Sequence, residues 1–325
     1  METLLFIFVF SVVLFLYLHI YFQLKVSDDL EVFDVEQPSK DNLEEICDLR
    51  QPVIFKMENI DSMIKNCNAS ELRKNYGAFD VKIRDIFETD DMVEKYLPLT
   101  LNTASEVFRK DEKEKYLSSN NYDFLEETSL VKEYQQHDQI LRPLSVCSCY
   151  YDYMFGAKNA HTLLSYEVNY RNYFLVTSGS IQIKLLPPKF TKYLKQHVDY
   201  DNFEFVSHVN PWNVQEEYKN DVEKTKMLDV TIVEGQVIHI PAYWWYSIKF
   251  NSSDTSVCSF KYKTYMNHVA ILNHTCMRML QSQNVKRDIV KKVDIVKKVD
   301  IVKKVDIDAN VEKEKESNNS IEKID

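Results

Sequence analysis

From Thr3 to Leu24 the chain runs TLLFIFVFSVVLFLYLHIYFQL without a single Asp, Glu, Lys or Arg. Such a run has few conformational options. In hydrocarbon every backbone N–H and C=O must find a partner, and a lone segment does this only as an α-helix. Its 22 residues exceed the roughly 20 that span a bilayer, and His19 can stay neutral. A cleaved signal peptide would need a basic n-region, a shorter apolar core and a small-residue cleavage site, none of which is present. The run therefore predicts an uncleaved, single-pass anchor. Lys25 follows it and only Glu2 precedes it, so the positive-inside rule places the C-terminal part on the cytosolic side. Sequons at Asn68, Asn251, Asn273 and Asn318 do not decide the side, because an Asn-rich chain produces some by chance.

Residues 25–38 are acidic and read as a linker, and residues 39–285 read as the folded domain. SKDNLEEICDLR predicts a helix capped by Asp41, with Glu44 three residues on and Leu43, Ile46 and Cys47 on one face. QPVIFK predicts a short strand. SELRKNYGAFDVKIRD predicts a helix, a turn at Gly77 and a strand through Val81 and Ile83. From Leu144 to Tyr262 the texture is β. NYFLVTSGSIQIKLLPP reads as a hairpin turning at Ser178–Gly179 and stopped by Pro187–Pro188. LDVTIVEGQVIHIPAYWW repeats that form at Glu234–Gly235, and SVCSFKYKTY is a further strand. MNHVAILNHTCMRMLQ carries Met266, Val269, Ile271, Leu272, Met277 and Leu280 at helical spacing, which predicts a packing helix or the seam of a homodimer.

Residues 286–325 form a tail in which DIVKKV runs three times from Asp288. Six residues turn a helix through about 600°, so the repeat never builds one apolar stripe. As a strand it gives two mixed faces, and the reading is a flexible, low-complexity tail.

The formal charge of −10 argues against a nucleic-acid partner, since phosphate binding needs a basic surface. The six cysteines, Cys47, Cys67, Cys147, Cys149, Cys258 and Cys276, form no C-x-x-C pair, and they read as free thiols of a reducing compartment.

Together, RQPVIFK, the SG…LLPP segment and GQVIHIPAYWW resemble the cupin-like JmjC (Jumonji C) proteins, the asparaginyl hydroxylase of hypoxia-inducible factor among them, over about residues 39–280. Gly156, Gly179 and Gly235 fall at turn positions of that family. The resemblance implies a mainly β fold with flanking helices, a double-stranded β-helix or jelly-roll barrel. It also implies, for many members, Fe(II) held by two histidines and a carboxylate, with 2-oxoglutarate as co-substrate. Here the ligand positions fall on Ser165, Glu167 and Tyr246. The co-substrate positions fall on Thr162 and on Ile181, where a lysine often stands.

A serine hydroxyl is a poor Fe(II) ligand, and a phenol with a reference pKa near 10 binds as phenolate only beside a strong cation. Ile181 offers a carboxylate no charge, and Lys184 faces the other side of its strand. His161 and His239 are the candidates for a displaced ligand, with satisfied histidines as the alternative. Lys261 and Lys263 read as solvated lysines, with binding of an acid as their alternative role. Trp244 and Trp245 read as core aromatics. The expectation is a membrane-anchored, non-catalytic module with no cofactor, acting in binding or scaffolding through a protein partner. The alternatives are a 2-oxoglutarate-dependent protein hydroxylase with rearranged ligands, and a purely structural membrane protein.

Overall fold

The computed structural model describes residues 2–87, 96–200 and 202–284. The repeat tail lies outside them. Two sheets make up the domain. The larger has nine strands in the order β1 (Phe33–Val35), β2 (Val53–Lys56), β13 (Gln236–His239), β8 (Arg171–Ser178), β15 (Ser256–Thr264), β6 (Val146–Gly156), β5 (Tyr116–Ser118), β3 (Asp80–Asp85) and β4 (Leu97–Thr100). The smaller has six, in the order β10 (Gln196–Asp199), β11 (Glu204–Ser207), β7 (Ser165–Tyr166), β14 (Trp245–Phe250), β9 (Ser180–Leu186) and β12 (Leu228–Val233). β1 runs parallel to β2, and the other pairs are antiparallel. No ladder joins the two sheets among the described residues, so they face each other without closing into one hydrogen-bonded barrel.

Three apolar clusters set the layering. Helices α2 (Lys40–Cys47), α3 (Asp61–Asn66), α4 (Ala69–Tyr76), α5 (Leu101–Lys110), α6 (Tyr122–Glu127) and α7 (Val131–His137) share the first with the outer face of the large sheet. Leu43, Met63, Leu72, Phe108 and Tyr134 meet Tyr173, Leu175, Phe260 and Tyr262 there. The second cluster lies between the sheets and joins Phe174, Val176 and Val257 to Ile181, Ile183, Ile232 and Ile248. The third covers the outer face of the small sheet through Tyr166, Phe205 and Trp245. The large sheet is thus buried on both sides, and β8 shows it: seven of its eight residues are buried.

Two sequence readings of pairing need correction. Only Gly179 separates β8 from β9, and only Glu234 and Gly235 separate β12 from β13, yet in neither case do the two strands pair with each other. Each connection is a corner at which the chain leaves one sheet for the other. Gly179 (φ +74°) and Gly235 (φ +82°) take the left-handed conformation that makes the corner possible. The corners brace each other, Glu234 N donating to Gly179 O (3.1 Å) and Gly235 N to Val176 O (2.9 Å). The true partners of β9 are β12 and β14. Gly156 has another role: an added Cβ would lie 2.8 Å from the Phe250 ring.

Three further expectations shift. Ser39, not Asp41, caps α2, its hydroxyl accepting from Asn42 N (3.3 Å). The segment 25–38 contains β1 and is tied down by Gln51 Nε2 donating to Asp29 (3.1 Å) and Lys189 N to Asp28 (3.0 Å). Beyond the short α8 (Lys219–Val222), the expected final helix is two, α9 (Tyr265–Ala270) and α10 (Leu272–Asn284), broken at Ile271. Ile271 is buried, but Val269, Leu272, Met277 and Leu280 are exposed, so the stripe does not pack on the domain as expected.

The N-terminal run is one helix, α1 (Glu2–Leu24), long and apolar enough to cross a membrane. Its last turns pack on α9. Arg50 donates to Phe22 O (3.3 Å) and lies over the Phe22 ring.

Candidate functional site

A cavity of about 520 Å³ opens between the sheets, and its polar wall is built by alternation along three strands. Ser165 and Glu167 line it, while Tyr166 between them turns outward onto Phe205 and Trp245. On β14, Tyr246 stands opposite Ser165 and points in, and Trp245 points out. On β15, Lys261 and Lys263 line the cavity, while Phe260 and Tyr262 enter the helix-side core. Ser165 and Glu167, and Tyr246 some eighty residues further along the chain, thus border one space.

Glu167 is its centre. Oε1 accepts from Tyr246 OH (2.8 Å) and from Lys261 Nζ (2.7 Å), and Oε2 accepts from Asn169 Nδ2 (2.5 Å). The two charged side chains are only 17% and 19% exposed. Burial alone would pull the Lys261 ammonium down, but the Glu167 and Asp152 carboxylates more than offset this and hold it above the ordinary lysine value. Asp152, on β6, is buried and accepts from Asn120 N (2.9 Å) and Asn121 N (2.7 Å). Burial raises its pKa, and Lys261 counters that. Burial, then the neighbouring Glu167, pushes the Tyr246 phenol well above 10, so it remains a neutral donor. At the rim Arg84 pairs with Glu204 (3.2 Å). Lys263 lies over the Phe203 ring, its pKa lowered by burial.

These residues do not fit Fe(II). The one carboxylate in the three positions already accepts three hydrogen bonds, one of them from an ammonium. That ammonium carries the positive charge a metal would supply, and it would repel one. A phenol kept protonated by burial is no ligand. Among the described residues no group of three His, Cys, Asp or Glu side chains is placed to hold a metal ion.

The other sequence candidates lie elsewhere. Ile181 is fully buried in the core between the sheets and is not part of the cavity wall. Thr162 does line the cavity, but its hydroxyl accepts from Ile248 N (2.9 Å), a structural bond. His161 bonds to Thr162 O (3.1 Å) and Asn210 Nδ2 (3.3 Å), outside the cavity wall. His239 is fully buried against Tyr173, far along β13. Its ring nitrogens make no hydrogen bond of good geometry, the Gln51 backbone being the nearest help. Lys184 turns away, towards Asp229 (3.5 Å) and Trp212. Trp244 packs between the sheets and donates to Arg50 O (3.2 Å); Trp245 donates to Thr191 (2.8 Å).

A family model described as a cupin-like domain matches residues 38–268. The chain belongs to the cupin-like domain family. The match runs from just before α2 into α9 and takes in both sheets except β1. No curated protein matches the chain at a significant level. Within the cupin-like domain, the reading of Lys261 as a solvated lysine is overturned by its burial against Glu167. Asn169 and Asp152 were not singled out by sequence at all. One signal for Lys261 was present: Lys261 and Lys263 alternate with Phe260 and Tyr262, and no carboxylate shares their strand to pair them at a surface.

Proposed function

We propose that this chain is a membrane-anchored binding module, a cupin-like domain whose metal position is taken by an internal ion pair. The observation that carries this is Lys261 Nζ at 2.7 Å from Glu167. The ammonium balances the carboxylate charge, Tyr246 and Asn169 give each of its oxygens a neutral donor, and the centre needs no added cation. The cavity beside it is retained. Its volume lies within the few-hundred to about 1,000 Å³ range of small-ligand sites, and polar groups converge on it, which supports binding over a purely structural body. Two further readings belong to the proposal. The regular passage of the chain between sheets at its corners supports a jelly-roll arrangement, with the sheets as its two halves. Six free cysteines and the lysine after α1 support a cytosolic domain.

The test is anaerobic titration of the full-length protein in detergent with Fe(II), followed by metal analysis and an assay for 2-oxoglutarate consumption. The expected result is no stoichiometric iron and no turnover. One iron per chain together with 2-oxoglutarate turnover would replace this reading with that of a protein hydroxylase using rearranged ligands.

A further inference from the structure

The helices after the last strand carry most of the domain's exposed apolar surface. Of the eleven large apolar side chains exposed beyond Val26 among the described residues, six lie between Tyr265 and Leu280. A seventh, Leu144, adjoins them, because Tyr265 N donates to Ser145 O (3.3 Å). Scattered exposed apolar residues need no explanation, but a concentration of them does.

Its place in the fold says what covers it. α1 packs on α9, and the α1 residues that lose exposure are His19, Ile20 and Gln23, one face of its last two turns. These belong to the uncharged run that ends at Leu24. At 1.5 Å per residue, His19 to Leu24 is about the final 8 Å of the span. The headgroup layer on each side of a bilayer is about 5–8 Å deep. A helix lying beside that part of α1 is therefore level with the boundary between hydrocarbon and headgroups. The charge pattern agrees: no Asp or Glu occurs from Thr255 to Arg287, in a chain with 50 acidic residues. Such a surface does not repel anionic lipid.

We infer that α9 and α10 lie on the bilayer, inserting Val269, Leu272, Met277 and Leu280 among the lipids at the point where α1 enters. This rests on the reading of α1 as a membrane span. The occupant of the exposed face is the lipid surface, and α10 acts as an interfacial helix in the same chain as the anchor.

The experiment uses the full chain in vesicles of phosphatidylcholine with phosphatidylserine, doped with a phosphatidylcholine that carries a photoreactive diazirine in its acyl chain. After irradiation, labelled peptides are mapped by mass spectrometry. The expected result is label in α1 and in the peptides from Tyr265 to Leu280, with none at Phe79, beside the far edge of the large sheet. Leu272→Glu combined with Leu280→Glu, at exposed positions that leave the core untouched, should cut the α10 label several-fold and leave the α1 label unchanged. Label in α1 alone overturns the inference while the membrane span stands. Label in neither overturns both. Cross-links between the α10 helices of two copies, with lipid label confined to α1, assign the face to a second copy and also overturn it.

Discussion

Lys261 and Glu167 are not symmetric partners. Lys261 acts on two carboxylates, Glu167 and Asp152, so removing the ammonium takes the compensating charge from both and leaves them only their neutral donors. Removing the Glu167 charge leaves Lys261 with Asp152. Breaking a buried pair costs about 3–5 kcal/mol, and partial exposure here places Lys261→Met nearer about 2–3. Glu167→Gln should cost roughly half as much, since an amide oxygen still accepts from Tyr246. Urea midpoints of the two variants check the order. The same ammonium bears on any attempt to rebuild a metal site. Ser165→His, Glu167→Asp and Tyr246→His together should bind little iron, and adding Lys261→Met should raise the bound fraction, as metal analysis would read. His239 gives a pH test. Burial, then Arg171 and Arg50, hold its folded pKa well below 6.5. The folded state therefore binds fewer protons than the unfolded chain. Stability is full above about pH 6.5 and falls as pH drops towards the folded pKa, by at most about 1.4 kcal/mol per pH unit. His239→Phe should flatten that slope in acid unfolding measured between pH 5 and 7. At this scale the sequence located Ser165, Glu167 and Tyr246 by motif, and they do border one cavity. It misplaced Lys261, because alternation marks the polar face of a strand as the solvent face. Here that face turns into a polar cavity inside the domain.

Many strands and helices were legible one at a time, since apolar alternation and Gly-Pro punctuation mark their limits, but the charged stretch that holds α5, α6 and α7 gave no such signal. The partners of the strands were not legible. Ser178–Gly179 and Glu234–Gly235 have the composition of hairpin turns, and a two-residue turn between alternating strands reads as a hairpin wherever it occurs. What sends the chain across to the other sheet is burial of β8 on both faces and the contact between the corners, neither of which is local. The corners differ in tolerance, which makes them testable. An added Cβ at Gly179 meets Thr255 Oγ1 at 2.6 Å as well as a left-handed backbone, whereas Gly235 has only Ile64 Cδ1 at 3.7 Å. Gly235→Ala should cost about 1 kcal/mol from backbone strain, and Gly179→Ala about 2 kcal/mol or more, compared by thermal melting.

For the whole molecule, the long apolar run constrained the arrangement most and was the easiest feature to read. Full-length protein should remain in the membrane pellet after carbonate washing, and recovery in the supernatant would refute the anchor. Less legible was the junction. An acidic segment such as SDDLEVFDVEQ reads as a free tether, but β1, the Asp28 and Asp29 bonds and Arg50 on Phe22 bind it to the domain. The difference alters how another molecule meets this one. A domain on a free tether sweeps a hemisphere and presents its cavity at every height and angle. With α1 in a membrane, as proposed above, a domain clamped to the foot of that helix holds its mouth at one altitude and one tilt, and travels only sideways. Partners confined to the same membrane would then meet it by a search in two dimensions, already oriented, while those arriving from solution would find only the approaches that the bilayer leaves open.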